Sequence, residues 1–578
     1  MAFDDIYPEG HQGGVCIIMN GHRVATNGDI RLEATPGQWQ PVPKQLDRKL
    51  GDNSITATLC YPDSSRHLTG FNPMIYPDLH LIYTVNVESK GKNIEVTVDL
   101  DRPIPQEFIG KVGFNLEFFP GSLFGKPWIM DGQSGIFPQQ PNSPLMTTQP
   151  NYLHTGNYHD GKQSLADMDK LIGKGYSPIV ADDIISEPYA KGRKFTSRPD
   201  DPYNKVTIES LSGDLQLFDG RMNHNNGWFV LRSNIKPGVT KGAVKWIITP
   251  NVVADWMYQP VIQTSQIGYH PTQDKEAVIE MDIRDNRKET AQIIRIDADG
   301  EKVVKNVTPA NWGKFLRYNY LKVNFTDVKE PGLYKIKYNT SVSPIFRIDN
   351  DVYARGVWQP VLEYFLPVQM CHMRVNEKYR VWHDCCHMDD AQMAPAHNHI
   401  DGYDQKEGLS KFKPGEVVPG VNIGGWHDAG DFDLRIESQA GESYILALAY
   451  EAFHPNLDVT SIDQINRVTE IHQPDGKNDL LQQVENGALT VVNGYLALGR
   501  LYRGIICNDL RQYVLLGDAA AMTDGKIGNE DDRWIFTEDN PGRELSTAAQ
   551  LAAVSRVLKG FNDTLSVHCL DIARKVYA

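Results

Sequence analysis

The chain has 578 residues, of which 41% are hydrophobic and 23% charged, and its formal net charge is −15. This length predicts about three or four domains, each with its own core. The acidic balance argues against a nucleic-acid partner, because no basic surplus can replace counterions on phosphates. It suits a neutral ligand such as a glycan. No run of about 18 apolar residues predicts a membrane span, and the N-terminal sequence has no signal-peptide pattern.

The first region, residues 1–257, is predicted to be all-β, as one or two β-sandwiches of unassigned role. Short alternating or β-branched runs are separated there by Gly, Pro, Asn and Asp turns. These runs are Val15–Met19, Ile55–Leu59, Leu81–Val87, Ile94–Leu100 and Gly227–Ser233. The Pro-, Gly- and Gln-rich stretch Phe119–Pro150 predicts an extended loop. Trp39, Trp128 and Trp228 fit core packing better than a sugar-stacking platform.

The second region, residues 260–350, has the size and pattern of a small immunoglobulin-like sandwich. Pro331-Gly332 is a strong turn signal within it. The predicted strands are Glu276–Asp282, Ala291–Asp297, Tyr320–Asn324 and Gly332–Tyr338.

After Asp351 the pattern changes to helical spacing of apolar residues, rich in Ala and Leu. The predicted helices are Val352–Leu366, Ile436–Phe453, Leu480–Tyr502, Arg543–Leu558 and Leu565–Tyr577. The longest connection, Met370 to Ile423, holds a cluster of Cys and His residues, and loops of that length are usually functional. We therefore expect residues 352–578 to be an all-helical domain with functional loops.

Two carboxylates lie three residues apart in the glycine-rich segment from Gly424 to Asp431, which reads Gly-Gly-Trp-His-Asp-Ala-Gly-Asp. Asp428 and Asp431 could approach one water molecule from an exposed turn and activate it as a base. The alternative is an ordinary surface turn, in which Asp and Gly are common for local backbone reasons.

A candidate metal site lies beside these carboxylates. Cys371, Cys386, His387 and His427 supply two thiolates and two imidazoles, a set suited to tetrahedral zinc. Such a closed site leaves no coordination position for chemistry, so its role would be structural, and it would hold the loop that carries Asp428. Other Cys and His residues nearby leave the ligand choice open, namely His372, His383, Cys385, His397 and His399.

At these residues the chain resembles the family 9 glycoside hydrolases, the inverting cellulase group. The octapeptide that ends at Asp431 is similar to the family's signature. The segment Ser265–Pro271 resembles the start of the immunoglobulin-like domain that precedes many of these catalytic domains. Asp531–Phe536 and Asn540–Glu544 also fit the family's helical domain. The resemblance covers residues 260 to 578 and leaves residues 1–257 as an additional β module.

The resemblance implies a general-base role for Asp431 and a partner role for Asp428 in holding the nucleophilic water. It also implies a structural zinc on Cys371, Cys386, His387 and His427. Calcium is common in the family, but no calcium ligand is assigned here. The implied fold is an (α/α)₆ barrel with an open cleft for β-1,4-glucans.

The chain departs from the family pattern in ways that bear on substrate and mechanism. The continuation Phe432–Glu437 lacks the Lys of typical endoglucanases, and the loop between His387 and His427 is long. Residues 352–578 suffice for five or six helices rather than twelve, and the family's general-acid Glu has no counterpart in this sequence. We therefore expect a longer protein, whose remaining half-barrel lies in cis or on a second chain.

The leading hypothesis is an endo-acting or processive β-1,4-glucanase that is secreted or periplasmic. An exo-acting hydrolase of another β-linked sugar, such as a glucosaminide or xyloglucan, is the alternative among enzymes. A non-catalytic glycan-binding protein is the alternative of another class. A zinc hydrolase is disfavoured because the predicted zinc has no open coordination position.

Overall fold

A computed structural model describes most of the chain. It describes residues 2–4, 14–32, 43–61, 79, 81–142, 145–146, 185–222, 228–398, 404–405, 408–428, 432–507, 525–528 and 532–578. The chain divides into two compact units. One contains residues 1–251 and 362–578, and the other contains residues 252–361.

The described part of residues 1–251 forms antiparallel β-structure. The strands are β1 (Ala2–Asp4), β2 (Gly14–Met19), β3 (His22–Leu32), β4 (Lys44–Leu50), β5 (Ser54–Tyr61), β6 (Leu81–Lys90), β7 (Asn93–Leu100), β8 (Val112–Phe118), β9 (Pro127–Met130), β10 (Gln133–Ile136), β11 (Leu145–Met146), β12 (Ile185–Ser186), β13 (Ala190–Gly192), β14 (Lys194–Ser197), β15 (Val206–Ser210), β16 (Leu215–Asp219), β17 (Phe229–Asn234) and β18 (Val244–Pro250). A seven-stranded sheet has the order β1-β2-β3-β8-β17-β16-β13, and a nine-stranded sheet has the order β10-β9-β14-β15-β18-β7-β6-β5-β4.

The two sheets share one apolar core. Alternate residues of β7 are buried, as period-two side-chain placement requires. Ring contacts join the sheets, with Phe114 and Trp246 at 5.1 Å between centroids and Phe118 and Phe195 at 5.8 Å. The prediction of N-terminal β-sheets is confirmed.

The prediction of an extended loop over Phe119–Pro150 is wrong for residues 127–136, and residues 143–144 and 147–150 lie outside the described residues. Strands β9 and β10 form a hairpin there, and β9 also pairs with β14 in the nine-stranded sheet. The hairpin closes through Asp131-Gly132, and Asp131 has a left-handed φ of 50°. An Asp-Gly pair is a strong local signal for such a turn, but the surrounding Pro and Gln residues concealed it.

Residues 252–361 form two small sheets over one core. The strands are β19 (Val261–Gln263), β20 (Glu276–Asp282), β21 (Ala291–Asp297), β22 (Gly300–Val307), β23 (Ala310–Phe315), β24 (Tyr318–Asn324), β25 (Gly332–Tyr338), β26 (Ser341–Val342) and β27 (Phe346–Ile348). One sheet has the order β19-β20-β24-β23, and the other has the order β22-β21-β25-β26, with β27 on β25. The bounds of β20, β21 and β25 equal those predicted.

The described part of residues 362–578 contains five α-helices, in agreement with part of a helical barrel. They are α1 (Leu366–Gln369), α2 (Ile436–Phe453), α3 (Asp479–Leu498), α4 (Pro541–Leu558) and α5 (Asp563–Tyr577). The bounds of α2 equal the prediction. Helix α3 ends four residues earlier than predicted, because Gly499 takes the left-handed conformation that terminates a helix.

The predicted helix Val352–Leu366 is wrong over its first half. Residues 351–358 are turns and bends, and Gly356 has a left-handed φ of 72°. Helical backbone begins at Gln359 and continues as a π-helix over Val361–Phe365 into α1.

Short strands occupy the long connections between these helices. They are β28 (Arg374–Glu377), β29 (Arg380–His383), β30 (Gln392–Met393), β31 (His397–Asn398), β32 (Asp404–Gln405), β33 (Leu434–Arg435), β34 (Thr460–Asp463), β35 (Val468–Ile471), β36 (Gly504–Cys507) and β37 (Arg533–Phe536). Among the helices that the structure describes, none combines the length and apolarity needed to cross a bilayer.

Candidate functional site

The segment Gly424–Asp428 is held by hydrogen bonds to three helices. Gly425 N donates to Asn486 O of α3 at 3.0 Å, and His427 N donates to Gln369 O of α1 at 2.8 Å. Gln439 of α2 accepts from Trp426 N at 2.8 Å and donates to Trp426 O at 2.9 Å. The backbone before Asp428 is therefore fixed from several sides.

The first glycine of the segment is required by both conformation and space. Gly424 has a left-handed φ of 71°, and a Cβ there would lie 2.4 Å from Asn486 O. A side chain would thus force the segment away from α3.

The same helix approaches Trp426 closely through a second glycine, Gly487. A Cβ at Gly487 would lie 2.2 Å from Ser443 Oγ and 2.4 Å from the Trp426 ring. We expect Gly487→Ala to lower the free energy of unfolding by about 1–3 kcal/mol, because the core must shift to admit the methyl group. Denaturant unfolding of the purified variant measures this.

Gly441→Ala is the matched control in helix α2, where the nearest atom to a new Cβ is Gln550 Nε2 at 3.7 Å. It should gain about 0.5–1 kcal/mol from helix propensity. Equal stability changes in the two variants would contradict the close packing of α3 on Trp426.

Four buried ligand atoms meet at one point beside this segment. Cys371, Cys386, His387 and His427 each offer one atom, and all four atoms lie within 4.8 Å of one another. Cys371, Cys386 and His387 are fully buried, and His427 is 6% exposed. The structure therefore brings together the four residues predicted as metal ligands.

The distances between the four ligand atoms fit tetrahedral coordination of one metal ion. Cys371 Sγ lies 3.9 Å from Cys386 Sγ and 3.7 Å from His387 Nδ1, and Cys386 Sγ lies 3.5 Å from His427 Nε2. Zinc bonds of about 2.3 Å to sulfur and about 2.0–2.1 Å to nitrogen predict tetrahedral edges of about 3.8 Å and about 3.5 Å. A sulfur separation of 3.9 Å is also too long for a disulfide. The cluster could hold a metal ion.

The protonation states of three of the four residues suit metal ligands, whereas the hydrogen bond with Cys371 and burial raise the pKa of Cys386 well above its usual range. Burial acts to raise the pKa of Cys371, but the Cys386 thiol, His372 and Arg533 together hold it well below its usual range. Burial lowers the pKa of His387 to about 3 and also lowers that of His427. A thiolate and neutral imidazoles are the forms that bind a metal.

Three of the other Cys and His residues that the sequence offered as possible metal ligands make contacts outside the four-residue cluster. His372 Nδ1 lies 3.1 Å from Gly424 O, and both ring nitrogens of His383 contact backbone carbonyls. Cys385 Sγ donates to His372 O at 3.2 Å. The side chain of His397 and all of His399 lie outside the described residues.

Arg533 links the cluster to the loop that follows the motif, and the sequence interpretation assigned it no role. Its buried guanidinium forms an ion pair with Asp390, donates to Phe432 O, and lies 3.4 Å from Cys371 Sγ. Phe432 has a left-handed φ of 57°, a conformation that costs about 1–3 kcal/mol for a residue other than glycine. An arginine within the apolar run of β37 was the available signal.

A second buried group consists of three carboxylates. Oxygen atoms of Asp389, Asp390 and Asp532 lie within 4.8 Å of one another and could hold a metal ion. Burial raises the pKa of Asp390 to about 6, although Arg533 acts in the opposite direction. Asp390 connects this group to Arg533 through their ion pair, and the sequence interpretation did not identify the group.

Asp428 is exposed and follows the buried His427, and Asp431 lies outside the described residues. Asp428 N donates to Asp433 O at 3.2 Å, and Asp428 Oδ2 lies 3.6 Å from Arg435 Nε. Arg435 also pairs with the fully buried Asp433 at 3.2 Å. The catalytic roles of Asp428 and Asp431 stay predictions.

The three tryptophans of the N-terminal module give no sugar platform in the described residues. Trp128 is 6% exposed and belongs to the core. Trp228 is half-buried and packs edge to face on Phe119 at 4.5 Å. Trp39 lies outside the described residues.

Comparisons with known families match two parts of the chain. Residues 257–343 match the cellulase N-terminal ig-like domain, and residues 361–578 match glycosyl hydrolase family 9. The resemblance stated from the sequence is confirmed in both regions.

Similar proteins match at low identity. Endoglucanase D of Acetivibrio thermocellus is 19% identical over 330 residues, which are 56% of this chain and 46% of that protein. The chain spans less than half the length of the curated relatives it matches.

Among solved structures, an endoglucanase mutant of Alicyclobacillus acidocaldarius is 19% identical, with a TM-score of 0.39 and coverage of 55% of this chain and 51% of that one. A Zn-binding triple mutant of the family 9 endoglucanase J30 is 21% identical, with a TM-score of 0.37 and coverage of 53% and 52%. At these TM-scores neither structure supports an inference about this chain.

Proposed function

Because residues 361–578 belong to glycosyl hydrolase family 9 and follow a cellulase-type immunoglobulin-like domain, we propose that this protein hydrolyses β-1,4-linked glucan with inversion. The observation that carries the proposal is that His427 and Asp428, which are adjacent in the chain, lie in different environments. His427 belongs to the buried four-residue cluster, and the next residue, Asp428, is exposed. The carboxylate motif therefore starts from a rigid support.

In the proposed reaction, Asp431 takes a proton from a water molecule that Asp428 helps to hold. The oxygen of that water bonds to the anomeric carbon while the bond from this carbon to the leaving oxygen breaks. A general acid must protonate the leaving oxygen, and in inverting enzymes the two carboxyl groups stand about 6.5–9.5 Å apart. We assign no residue to the role of this acid.

We assign zinc to the cluster of Cys371, Cys386, His387 and His427. When bound, this ion would supply no catalytic position, because four protein ligands fill its tetrahedral shell. The four residues position the backbone, because they connect the loop after α1 to the segment that carries Asp428. Such support matters because a catalytic base must be placed to within a fraction of an ångström.

The proposed substrate also indicates where in or outside the cell the protein acts. A polysaccharide is too large to enter a cell, so the proposed function places the protein in the periplasm or outside the cell.

The test is the anomeric form of the first product. Proton NMR during hydrolysis of a soluble β-1,4-glucan by the full-length protein should show the α-anomer before mutarotation equilibrates it. Initial release of the β-anomer would exclude an inverting mechanism. Chromatography of the same samples separates endo action, which gives a spread of lengths, from exo action on chain ends.

A further inference from the structure

The immunoglobulin-like domain carries an aromatic strip on the outer face of one sheet. The strip consists of Tyr258, Tyr318, Tyr320 and Trp312. Consecutive ring centroids are 5.2 Å, 6.1 Å and 5.6 Å apart in that order. The three tyrosines are partly exposed, and Trp312 is 57% exposed. The strip starts at Tyr258, which precedes β19, follows β24 from Tyr318 to Tyr320, and ends at Trp312 on β23.

A β-bulge presents Trp312 at the end of the strip. The pairing of β23 with β24 is interrupted between Asn311 and Gly313, and Trp312 is the extra residue. Gly313 has a φ of 126°, which a residue with a side chain rarely adopts. Bulges commonly redirect a side chain for a function, and this one leaves the indole in solvent rather than in a core.

A carboxylate orients two of the rings. Tyr258 Oη donates to Glu280 Oε1 at 2.9 Å, and Tyr320 Oη donates to Glu280 Oε2 at 3.0 Å. Burial and this carboxylate raise the pKa of both hydroxyls, so both stay protonated donors. The rings thus keep fixed orientations beside hydrogen-bonding groups.

The charges around the strip are largely paired with one another. Arg284 Nε lies 2.9 Å from Asp282 Oδ1, and Lys322 Nζ lies 2.9 Å from Glu276 Oε2. The Arg317 guanidinium lies over the Tyr318 ring at 5.5 Å. A face with ring surfaces, hydroxyl groups and balanced charge is complementary to a neutral ligand with apolar faces and many hydroxyls.

We propose that this aromatic strip binds a single chain of a neutral polysaccharide, outside the catalytic region. Sugar rings present C–H faces that pack on aromatic rings, and their hydroxyls can bond to Glu280 and the tyrosines. Consecutive rings are tilted by 56°, 64° and 89°. Rings tilted in this way do not form a plane that could lie flat on the surface of crystalline cellulose. The proposed ligand is therefore a single polysaccharide chain.

Cross-strand aromatic pairs also stabilise sheets without any ligand, and the experiment separates the two roles. Affinity electrophoresis of the full-length protein in gels with hydroxyethyl cellulose measures binding to a soluble glucan. Trp312→Ala should weaken the affinity about tenfold, by the usual contribution of one aromatic contact. Its melting temperature should stay unchanged, because the indole is mostly in solvent.

Tyr203→Ala is the matched control, since Tyr203 is an aromatic residue 49% exposed on the N-terminal module. It should bind like the parent. Equal retardation of parent and Trp312→Ala, or an effect of Trp312→Ala on self-association in sedimentation with no effect on glucan binding, would overturn the proposal. Binding to crystalline cellulose that soluble glucan does not compete would contradict the single-chain ligand.

The choice of a β-1,4-glucan as probe rests on the proposed function, and the two can fail separately. Binding is measured in the Asp431→Ala background, where hydrolysis does not consume the ligand. Loss of binding in Trp312→Ala together with a β-anomeric product in the parent would refute the inverting mechanism alone. An α-anomeric product with no dependence of binding on Trp312 would refute the strip alone.

Discussion

Asp431→Ala should lower kcat on a soluble β-1,4-glucan by about three orders of magnitude, while glucan affinity stays within about twofold. General-base catalysis contributes typically about 10²–10⁴-fold to a rate, and alanine cannot accept the proton of the attacking water. In the proposed reaction the Asp431 carboxylate acts on the attacking water rather than on the sugar, and the aromatic strip is unchanged in this variant, so the Kd should change little. The measurements are kcat at saturating substrate and Kd from a binding titration.

Two further variants test whether the loss of kcat is specific to Asp431. Asp428→Asn keeps a polar side chain beside Arg435 and should lower kcat less than Asp431→Ala does. Asp539→Ala removes another exposed aspartate of this region and should leave kcat at the parent value. An Asp431→Ala enzyme that retains a tenth or more of the parent kcat would refute the general-base assignment.

The cluster of Cys371, Cys386, His387 and His427 gives the largest expected effect on stability. Cys386→Ser should remove the bound zinc and lower the free energy of unfolding by more than about 4 kcal/mol, since the binding energy of a structural zinc is also folding energy. The Cys386 Sγ is fully buried and lies 3.9 Å from Cys371 Sγ. Elemental analysis should fall from one zinc per chain to near zero, and the thermal transition should move down.

The adjacent thiol is a matched control for this variant. Cys385 Sγ points to the His372 carbonyl rather than to the cluster, and a serine hydroxyl can donate to the same oxygen. Cys385→Ser should keep its zinc and lose less than about 1 kcal/mol. Zinc loss in Cys385→Ser with retention in Cys386→Ser would show that the ligand assignment is wrong. Chelation of the parent should lower its melting temperature, because the proposed zinc has a structural role.

Local sequence signals predicted several helices and strands correctly. The bounds of α2, β20, β21 and β25 equal those predicted, because apolar periodicity and turn residues act within a few residues. The predictions failed where local signals conflicted. Asp131-Gly132 closed a hairpin inside a segment of loop-like composition.

The sequence alone was enough to identify the octapeptide that ends at Asp431 and the family resemblance based on it. A glycine-rich carboxylate motif is a local pattern. The tertiary structure decided which Cys and His atoms share a point. Cys385 and Cys386 are neighbours in the chain, but only Cys386 faces the cluster. The contact of Arg533 with Cys371 joins residues 162 positions apart. Side-chain direction depends on packing between distant segments, and sequence spacing does not record it.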